Sequence, residues 1–409
     1  MEFGPIFRAM TRNRARFLLI VAEVALTLAI VANCMTLILK ARAAMARPSG
    51  FDEANLISVT STAFAEELRD PNALAQLTRA DLAALRAMPG VKAASNTVFL
   101  PFMGGGMSFG PHAAGQPNRT VPAQFYFADT ALLDTLGVHI IQGRNLTQAE
   151  VDSNQPEVDL TAAHGGVIVS EALAKQLYPN GDALGKDVEH PENQGRQTIV
   201  GIFDRFYNPF GGGSGIDEYA AIYPIPSGNF SRGTGYLVRT EPGQVNAVAG
   251  RMEAALLKVN DGRNLRVRTI PEIRQRFHSQ DRMLVASLDA VMILLVVVTV
   301  LGIVGITSFS VTERRRQIGT RRALGATPLD IVRYFLLENW IVTTLGVTLG
   351  LGLAYALNYG LMTWSAGSRL DIRVLVPGIA ALWLLGLLAA LGPALRGAKV
   401  PPAIATRNV

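Results

Sequence analysis

The chain has 409 residues, 49% of them hydrophobic, and a formal net charge of +6 at pH 7. Its mean hydropathy of +0.26 is high for a soluble protein of this length, so part of the chain is expected to lie in a lipid bilayer. The basic residues flank apolar segments, which argues against nucleic acid as a partner and favours membrane lipid headgroups or a cytoplasmic protein.

The N-terminal region predicts a cytoplasmic amphipathic lead-in over residues 1–16, followed by a first transmembrane helix over residues 17–39. The apolar part of this helix is about twice as long as that of a signal peptide, so we expect it to be retained as an anchor. The single cysteine, Cys34, lies inside it, which leaves no partner for an intrachain disulfide.

Residues 40–270 have an ordinary globular composition and predict a periplasmic domain. Strands and helices alternate along it, which is typical of an α+β fold. The predicted strands are residues 55–61, 91–98, 121–127, 166–169, 197–203, 220–223, 236–240 and 266–270, and the predicted helices are residues 72–88, 128–136, 170–177 and 242–259. We expect Asp129 to cap the second of these helices. Glycine-rich loops are expected at residues 104–106 and 211–215.

The β-α-β segments at the two ends of this domain are expected to pair with each other, with the middle segment as an insertion. The expected fold is therefore a membrane α-helical protein with four transmembrane helices and an inserted α+β periplasmic domain of two lobes. A stalk over residues 271–283 should join the second transmembrane helix, residues 284–311, in one continuous helix from Glu272 to Val311.

The remaining segments are a loop over residues 312–335, a third transmembrane helix over 336–362, a short periplasmic loop over 363–373, a fourth transmembrane helix over 374–392, and a cytoplasmic tail over 393–409. Residues 41–283 contain 22 basic and 25 acidic residues, a net charge of −3. Basic residues instead cluster before the first span, in the 312–335 loop and in the tail. The positive-inside rule therefore predicts a multi-pass inner-membrane protein with both termini cytoplasmic.

The loop over residues 312–335, called the arginine loop below, contains six arginines within twenty residues: Arg314, Arg315, Arg316, Arg321, Arg322 and Arg333. Gly325 is typical of the end of a helix, and Thr327, Pro328 and Asp330 are typical of the start of the next one. The loop thus predicts a short capped helix and a tight turn. The alternative is a charge cluster that only sets the membrane topology.

Several segments resemble those of known transporters. Residues 313–326 and 336–338 resemble the cytoplasmic segment of FtsX-like permeases, the membrane subunits of MacB-like (type VII) ABC transporters, and residues 393–403 are similar to their terminal signature. Residues 129–144, 167–186 and 198–202 resemble the MacB-like periplasmic core domain. Gly397 in this signature and Thr406 shortly after it depart mildly from the usual alanine and leucine.

The resemblance implies a non-catalytic permease subunit that works by mechanotransmission, in which a cytoplasmic ABC ATPase drives conformational work in the periplasm. No G-x-x-x-x-G-K-[ST] motif occurs in the sequence, so ATP and Mg are expected to bind to that separate ATPase and no cofactor to this chain. A second permease, as a homodimer or heterodimer, is implied, and a periplasmic adaptor and an outer-membrane duct would complete an efflux assembly. Lipoprotein release of the LolC/LolE kind and FtsX-type signalling to a peptidoglycan hydrolase are the alternatives.

Two groups of candidate residues follow. The predicted ATPase-coupling residues are Glu313, Arg314, Arg315, Arg316, Arg321, Arg322, Leu324 and Gly325. The predicted helix-packing residues in the membrane are Gly302, Gly305, Gly346 and Gly350, with lipid-facing glycines as the alternative. Glu23, Asn33 and Asp289 are polar residues in the spans, for which helix pairing is favoured over a proton relay. No catalytic or metal-binding motif is found in the sequence.

Overall fold

The computed structural model describes residues 14–97, 102–103, 107–154, 165–189, 195–205, 207, 216–224, 233–364 and 370–401. The predicted lead-in up to residue 13, both glycine-rich loops and the tail beyond residue 401 lie outside these ranges. The chain divides into two compact units. One contains residues 1–46 and 280–409, and the other contains residues 47–279.

The helices in chain order are α1 (Arg14–Ala46), α2 (Pro71–Arg86), α3 (Leu132–Leu136), α4 (Gln148–Asp152), α5 (Glu171–Leu177), α6 (Val245–Val259), α7 (Ile270–Phe277), α8 (Ser279–Glu313), α9 (Arg315–Ala323), α10 (Pro328–Trp364) and α11 (Ile372–Ala398). The strands are β1 (Leu56–Ala63), β2 (Val91–Asn96), β3 (Met107–Phe109), β4 (His112–Ala113), β5 (Ala123–Phe127), β6 (Ile140–Gly143), β7 (Gly166–Ser170), β8 (Asp187–Glu189), β9 (Arg196–Phe203), β10 (Ala220–Tyr223), β11 (Gly233–Thr240) and β12 (Arg263–Thr269).

Four helices are long and apolar enough to cross a membrane: α1, α8, α10 and α11. They contain the four predicted spans, and each extends beyond the predicted apolar segment at both ends. The prediction of four membrane helices is therefore confirmed. α1 is the most enclosed of the four, because α10 and α11 both pack against it. α8 keeps most of its apolar surface exposed within this chain.

The soluble unit has two lobes, as the strand pattern predicts. The smaller lobe is an antiparallel sheet in the order β12-β1-β11-β2, built from strands at both ends of the unit. The larger lobe is a mixed sheet of the intervening strands, in the order β3-β5-β10-β7-β9-β8-β4, with β6 paired to β9. The middle of the chain is thus inserted into the smaller lobe.

Three large apolar clusters lie in the described part of this unit, beside a small fourth one around Leu74. One lies between the small sheet and the helices α2 and α6, where Val59, Leu85 and Met252 are buried. A second joins the two lobes, since it contains Leu237 of the small sheet and Ile222 of the large one. In the third, residues of α5 pack against the large sheet. The side chains of β1 divide between the first two clusters, because successive side chains of a strand point to opposite faces.

A fully buried ion pair lies within the small lobe. Arg263 of β12 and Asp81 of α2 both have 0% side-chain exposure. The two side chains make a bidentate contact, with Arg263 Nη2 donating to Asp81 Oδ1 at 2.7 Å. Tyr236 donates to the same carboxylate at 2.6 Å, and Arg263 Nη2 also donates to the Leu256 carbonyl oxygen at 2.6 Å. Burial raises the pKa of Tyr236, so its hydroxyl remains a donor.

Two sequence predictions for this unit are wrong. The helix over residues 128–136 begins only at Leu132, and Asp129 does not cap it. The Asp129 carboxylate instead accepts from the Ser95 hydroxyl at 2.6 Å and the Ala131 N–H at 3.0 Å. The continuous helix from Glu272 to Val311 is also wrong, because α7 ends at Phe277 and α8 starts at Ser279.

Packing explains the break at His278. α7 has its own capping box, in which Thr269 and Glu272 bond to each other's backbone N–H. Its Ile270 and Ile273 are buried in the cluster that joins the two lobes, and Phe277 packs against that cluster. α7 therefore belongs to the soluble unit, although no glycine or proline marks its end.

The entry and exit of the soluble unit are bonded to each other. Arg274 of α7 donates to the Arg47 carbonyl oxygen at 2.7 Å and pairs with the Glu53 carboxylate. Arg47 in turn pairs with Glu218 at 2.8 Å and stacks on the Tyr207 ring at 4.1 Å. The first and last segments of the unit are thus held side by side.

Gly143 and Arg144, which end the first segment that resembles the MacB-like core, hold β6 and α4 in place. Gly143 has a φ of +78°, and an added Cβ would lie 2.3 Å from the Val200 carbonyl oxygen. Next to it, Arg144 makes a bidentate contact with Glu150, which also accepts from Thr147 and from the Gly166 N–H. These bonds, with Arg144 the largest cause, lower the pKa of Glu150 to about 2.

We expect Asp81→Asn or Arg263→Met to destabilise the soluble unit by about 3–5 kcal/mol, because each leaves a buried charge without its partner. The double variant Asp81→Asn/Arg263→Met should lose less than the sum of the two single changes. Thermal denaturation of the detergent-purified chain gives the comparison. A loss in the double variant equal to the sum of the two single losses would show that the two side chains do not interact.

The Glu150 carboxylate should make the fold acid-sensitive. Its folded pKa of about 2 lies below the usual 4.5, so its contribution is complete above pH 4.5 and is lost as the pH falls toward 2. Glu150→Gln should lower the melting temperature at pH 6, and the deficit should shrink as the pH falls through this window. Arg144→Met should reproduce this behaviour, since it removes the main cause. A deficit that is constant with pH in both variants would contradict the assignment.

Candidate coupling site

The arginine loop is an ordered helix-turn-helix. α9 ends in a Schellman motif, in which Gly325 has a φ of +97° and donates to the Arg322 carbonyl at 3.2 Å, while Ala326 donates to that of Arg321 at 3.0 Å. α10 begins with reciprocal bonds between Thr327 and Asp330, whose carboxylate accepts from the Thr327 N–H at 2.9 Å. The predicted capped helix and tight turn are confirmed.

Arg314 is an internal anchor of this structure. Its guanidinium donates to the Glu338 carboxylate at 2.9 Å and to the Tyr334 hydroxyl at 3.3 Å, both on α10. The side chains of Arg314 and Glu338 are only 12% and 8% exposed. The pair therefore fixes the start of α9 against α10, and little of Arg314 is left for a partner protein.

Two further arginines contact the chain itself. Arg322 donates to the Ala398 carbonyl at the end of α11, at 2.8 Å. Arg321 lies over the ring of Tyr334, 4.8 Å from its centroid, as in a cation–π contact. These contacts tie α9 to the third and fourth spanning helices. Arg321 remains exposed on its other side.

The exposed part of the arginine loop is smaller than its charge suggests. Arg315 and Arg316 lie in the first turn of α9 and are exposed. Leu324 is 84% exposed and Leu329 is 73% exposed, one on each side of the turn at Gly325. We call Arg315, Arg316, Leu324 and Leu329 the turn surface. The first three of these were predicted as coupling residues from the sequence, whereas Leu329 was not. Its position directly after Pro328, in the first turn of a helix, is the signal that could have indicated an exposed apolar residue.

Glu313, also predicted to be a coupling residue, pairs within the chain. Its carboxylate accepts from Arg16 of α1 at 2.6 Å, and Arg16 lies 4.2 Å from the centroid of the Phe309 ring. This joins α1 to the end of α8, at the first residues of the arginine loop. A second ion pair, between Arg42 and Asp289 at 3.0 Å, joins the other ends of the same helices.

The spacing of these two ion pairs matches a bilayer. With 1.5 Å per residue, they lie about 39 Å apart along α1 and about 36 Å apart along α8. The hydrocarbon core is about 30 Å thick, so each pair can lie at one of its boundaries. Between them, the hydroxyls of Thr27 and Thr299 are hydrogen-bonded at 2.8 Å. α1 and α8 are thus fastened at both ends and near the middle.

Three of the four candidate glycines lie at close helix contacts. An added Cβ at Gly346 would lie 2.7 Å from Val24 Cβ, and one at Gly350 would lie 2.9 Å from the Ala25 carbonyl oxygen. A Cβ at Gly302 would lie 2.4 Å from a Glu23 carboxylate oxygen. Gly305 is different, because an added Cβ would meet no described atom within 4 Å. Gly305 is exposed in this chain, so its packing role stays a prediction.

The polar residues of the spans have separate surroundings. Asn33 donates to the Ala354 carbonyl at 3.1 Å and accepts from Asn358 at 3.2 Å, which joins α1 to α10. Glu23 lies against Gly302, and Asp289 is paired with Arg42. Helix pairing therefore accounts for Asn33 and Asp289, and the contacts link none of the three polar residues into a relay.

The architecture is that of a multi-pass membrane protein with a two-lobed α+β domain inserted after its first spanning helix. Two family models match it: the MacB-like periplasmic core domain over residues 19–255, and the FtsX-like permease C-terminal region over residues 290–402. The chain therefore belongs to the MacB/FtsX-type family of ABC transporter permeases, which are inner-membrane proteins.

Two curated relatives illustrate the range of the family. The chain is 27% identical to the uncharacterized ABC transporter permease YvrN of Bacillus subtilis over 305 residues, which covers 69% of this chain and 70% of that protein. It is 26% identical to the macrolide export ATP-binding/permease protein MacB of Chromobacterium violaceum over 270 residues, which covers 64% of this chain. That alignment spans only 40% of the MacB relative.

Two solved structures are distantly similar to parts of this chain. The periplasmic region of MacB from Actinobacillus actinomycetemcomitans is 17% identical with a TM-score of 0.37, covering 56% of this chain and 95% of that one. The extracellular domain of the transporter YknZ from Gram-positive bacteria is 18% identical with a TM-score of 0.34, covering 52% of this chain and all of that one. Family membership rests on the two family models.

The contact between α1 and α8 can be tested with cysteines. In a Cys34→Ser background, Thr27→Cys/Thr299→Cys should form a disulfide readily, because the two hydroxyls are 2.8 Å apart. The matched control is Thr27→Cys/Ile293→Cys, which moves one partner about 9 Å along α8 and should not cross-link. Mass spectrometry of the oxidised chain reads the bond. Equal cross-linking in both variants would contradict the described pairing.

Proposed function

We propose that this chain is the non-catalytic transmembrane subunit of an ABC transporter, which couples ATP hydrolysis by a separate ATPase to conformational work in its soluble domain. ATP and Mg bind to that ATPase. One observation carries the proposal. The arginine loop is held rigid by Arg314, Arg321 and Arg322, yet it leaves Arg315, Arg316 and Leu324 exposed. A rigid, exposed surface of mixed charge and apolar character suits a protein partner.

The proposed orientation places this surface in the cytoplasm. Arg16, the arginine loop and Arg396 all lie at the same ends of the spanning helices, and positive residues favour the cytoplasmic side. The soluble domain then lies in the periplasm, and both termini lie in the cytoplasm. This arrangement puts the ATPase and the soluble domain on opposite sides of the bilayer, so energy must pass through the helices.

The proposed mechanical path runs through α1 and α8. Glu313 is adjacent to Arg314, so a displacement of the arginine loop acts directly on the Glu313–Arg16 pair. Because Thr27–Thr299 and Arg42–Asp289 also join the helices, α1 and α8 should move together. Along the chain, α1 continues into the soluble domain at Arg47, and α8 is joined to it through the break at His278. The rigid part of the proposed path is therefore α1 and α8 themselves.

Efflux through a tripartite assembly is the favoured use of this movement. It is supported by the names of the MacB relatives, which are macrolide export proteins. In that assembly a second permease completes a homodimer or heterodimer, and a periplasmic adaptor and an outer-membrane duct receive the substrate. Purification of the intact complex in detergent tests this: a co-purified adaptor supports efflux, whereas a peptidoglycan hydrolase or a bound lipoprotein supports one of the alternatives.

The coupling role predicts that substitutions in the turn surface weaken binding of the ATPase. Arg315→Glu/Arg316→Glu should weaken binding of the ATPase at least about tenfold, because reversal places like charges in the contact. Leu324→Ala should weaken it by up to about tenfold through lost apolar burial. Binding of the purified ATPase to detergent-solubilised permease measures both effects, and the stimulated ATPase activity should fall in parallel.

Arg266→Glu/Arg268→Glu is the matched control. It reverses two arginines of the soluble domain, on β12, and should leave ATPase binding unchanged. Arg314→Met tests the anchor separately, since it should reduce both the stability of the permease and ATPase binding. If Arg315→Glu/Arg316→Glu binds the ATPase with unchanged affinity, the turn surface is not the docking site.

A further inference from the structure

An apolar groove lies in the membrane unit, away from the arginine loop. It has a volume of about 390 Å³ and is formed by α1, α8 and α11. Its walls include Leu28 and Met35 of α1, Val296 of α8, and Ala381 of α11. The volume falls within the usual range of ligand sites, roughly 300–1,000 Å³. Arg373, at one end, is the one charged residue in its lining.

Two residues of α11 create this groove. Pro377 lies inside the helix and lacks an N–H, which weakens the helix locally. Gly378 follows it, and an added Cβ would meet only Leu28 Cδ1, at 3.9 Å. The space beside α1 is therefore left open by a missing side chain. A larger residue at Gly378 would fill it without displacing the backbone.

Arg373 is free to bind a ligand at the mouth of the groove. It lies in the first turn of α11 and is exposed. The neighbouring Asp371 carboxylate caps the helix by accepting from the Arg373 N–H at 2.9 Å. Within the described ranges no carboxylate pairs with the Arg373 guanidinium. A guanidinium at this position favours a phosphate, which it can bind with two parallel hydrogen bonds.

We propose that the groove is a phospholipid site, with one acyl chain lying between α1 and α11 and the phosphate bound to Arg373. The dimensions fit. From Arg373 to Leu385, the deepest wall residue on α11, the helix rises about 18 Å, close to half of the roughly 30 Å hydrocarbon core. A helix of a second protein is about 10 Å across and would need far more volume over this length than the groove offers.

The charge of Arg373 sets a preference among lipids. A basic residue near a membrane surface contributes about 1 kcal/mol toward an anionic lipid, which corresponds to about a fivefold preference. The site should therefore bind phosphatidylglycerol about five times more tightly than phosphatidylcholine. The apolar groove itself should be indifferent to the headgroup.

Native mass spectrometry of the full chain, purified in detergent and titrated with each lipid, tests the site. The unaltered chain should retain one phosphatidylglycerol. Gly378→Leu should abolish retention, and Ala381→Phe, which fills the same groove from a neighbouring position, should do the same. Arg373→Gln should keep the binding of phosphatidylcholine but lose the fivefold preference for phosphatidylglycerol.

Gly392→Leu is the matched control. It adds the same side chain to the same helix, where an added Cβ meets no described atom within 4 Å, and should leave lipid retention unchanged. The proposal is overturned if the unaltered chain retains no lipid or if Gly378→Leu and Ala381→Phe retain it fully. A disulfide-linked dimer of Ala381→Cys in the Cys34→Ser background would also overturn it, because a second copy would then cover the groove.

Discussion

A domain inserted into a chain must leave and re-enter its host at one place, and this constraint organises the whole protein. In the membrane unit, the Arg42–Asp289 ion pair holds the last turns of α1 beside α8, ten residues after α8 begins. The soluble unit meets the constraint separately, with Arg274 bonded to the Arg47 carbonyl and to Glu53. Each unit therefore closes its own pair of connections.

Because each unit joins its own two chain connections, each can form a core of its own. Isolated surface ion pairs contribute only about 0–1 kcal/mol, so the clusters of buried apolar residues supply most of the stability. The ion pairs instead select which segments lie together. In the soluble unit, the buried Asp81–Arg263 pair has the same selecting role, since it fixes α2 against β12 across 182 residues of sequence.

The sequence predicts the parts of this structure that local chemistry determines. The spans follow from the length of their apolar segments, and the turn of the arginine loop follows from Gly325, Thr327 and Asp330. The two lobes follow from matching strand patterns at the ends of the domain. Each of these signals lies within a few residues of the feature that it specifies.

The failures have a common physical cause, which is pairing across long sequence distances. The break at His278 depends on Ile273 joining the core of the soluble unit, and Arg314 is anchored because Glu338 faces it from another helix. Nothing near Gly305 in sequence distinguishes it from Gly302, whose neighbour Glu23 comes from α1. The coupling roles of Arg315, Arg316 and Leu324 stay predictions, since they concern a partner.

The ion pairs at the two ends of α1 and α8 also give the protein a fixed hydrophobic length. Single helices adapt to a thinner or thicker bilayer by sliding, tilting or kinking separately. Here Arg16–Glu313 and Arg42–Asp289 oppose any sliding of α1 past α8, so the pair can respond to membrane thickness only by tilting as one body. Bilayer thickness thereby acts on α1 and α8 as one body, because a change in tilt moves both helices and the start of the arginine loop together.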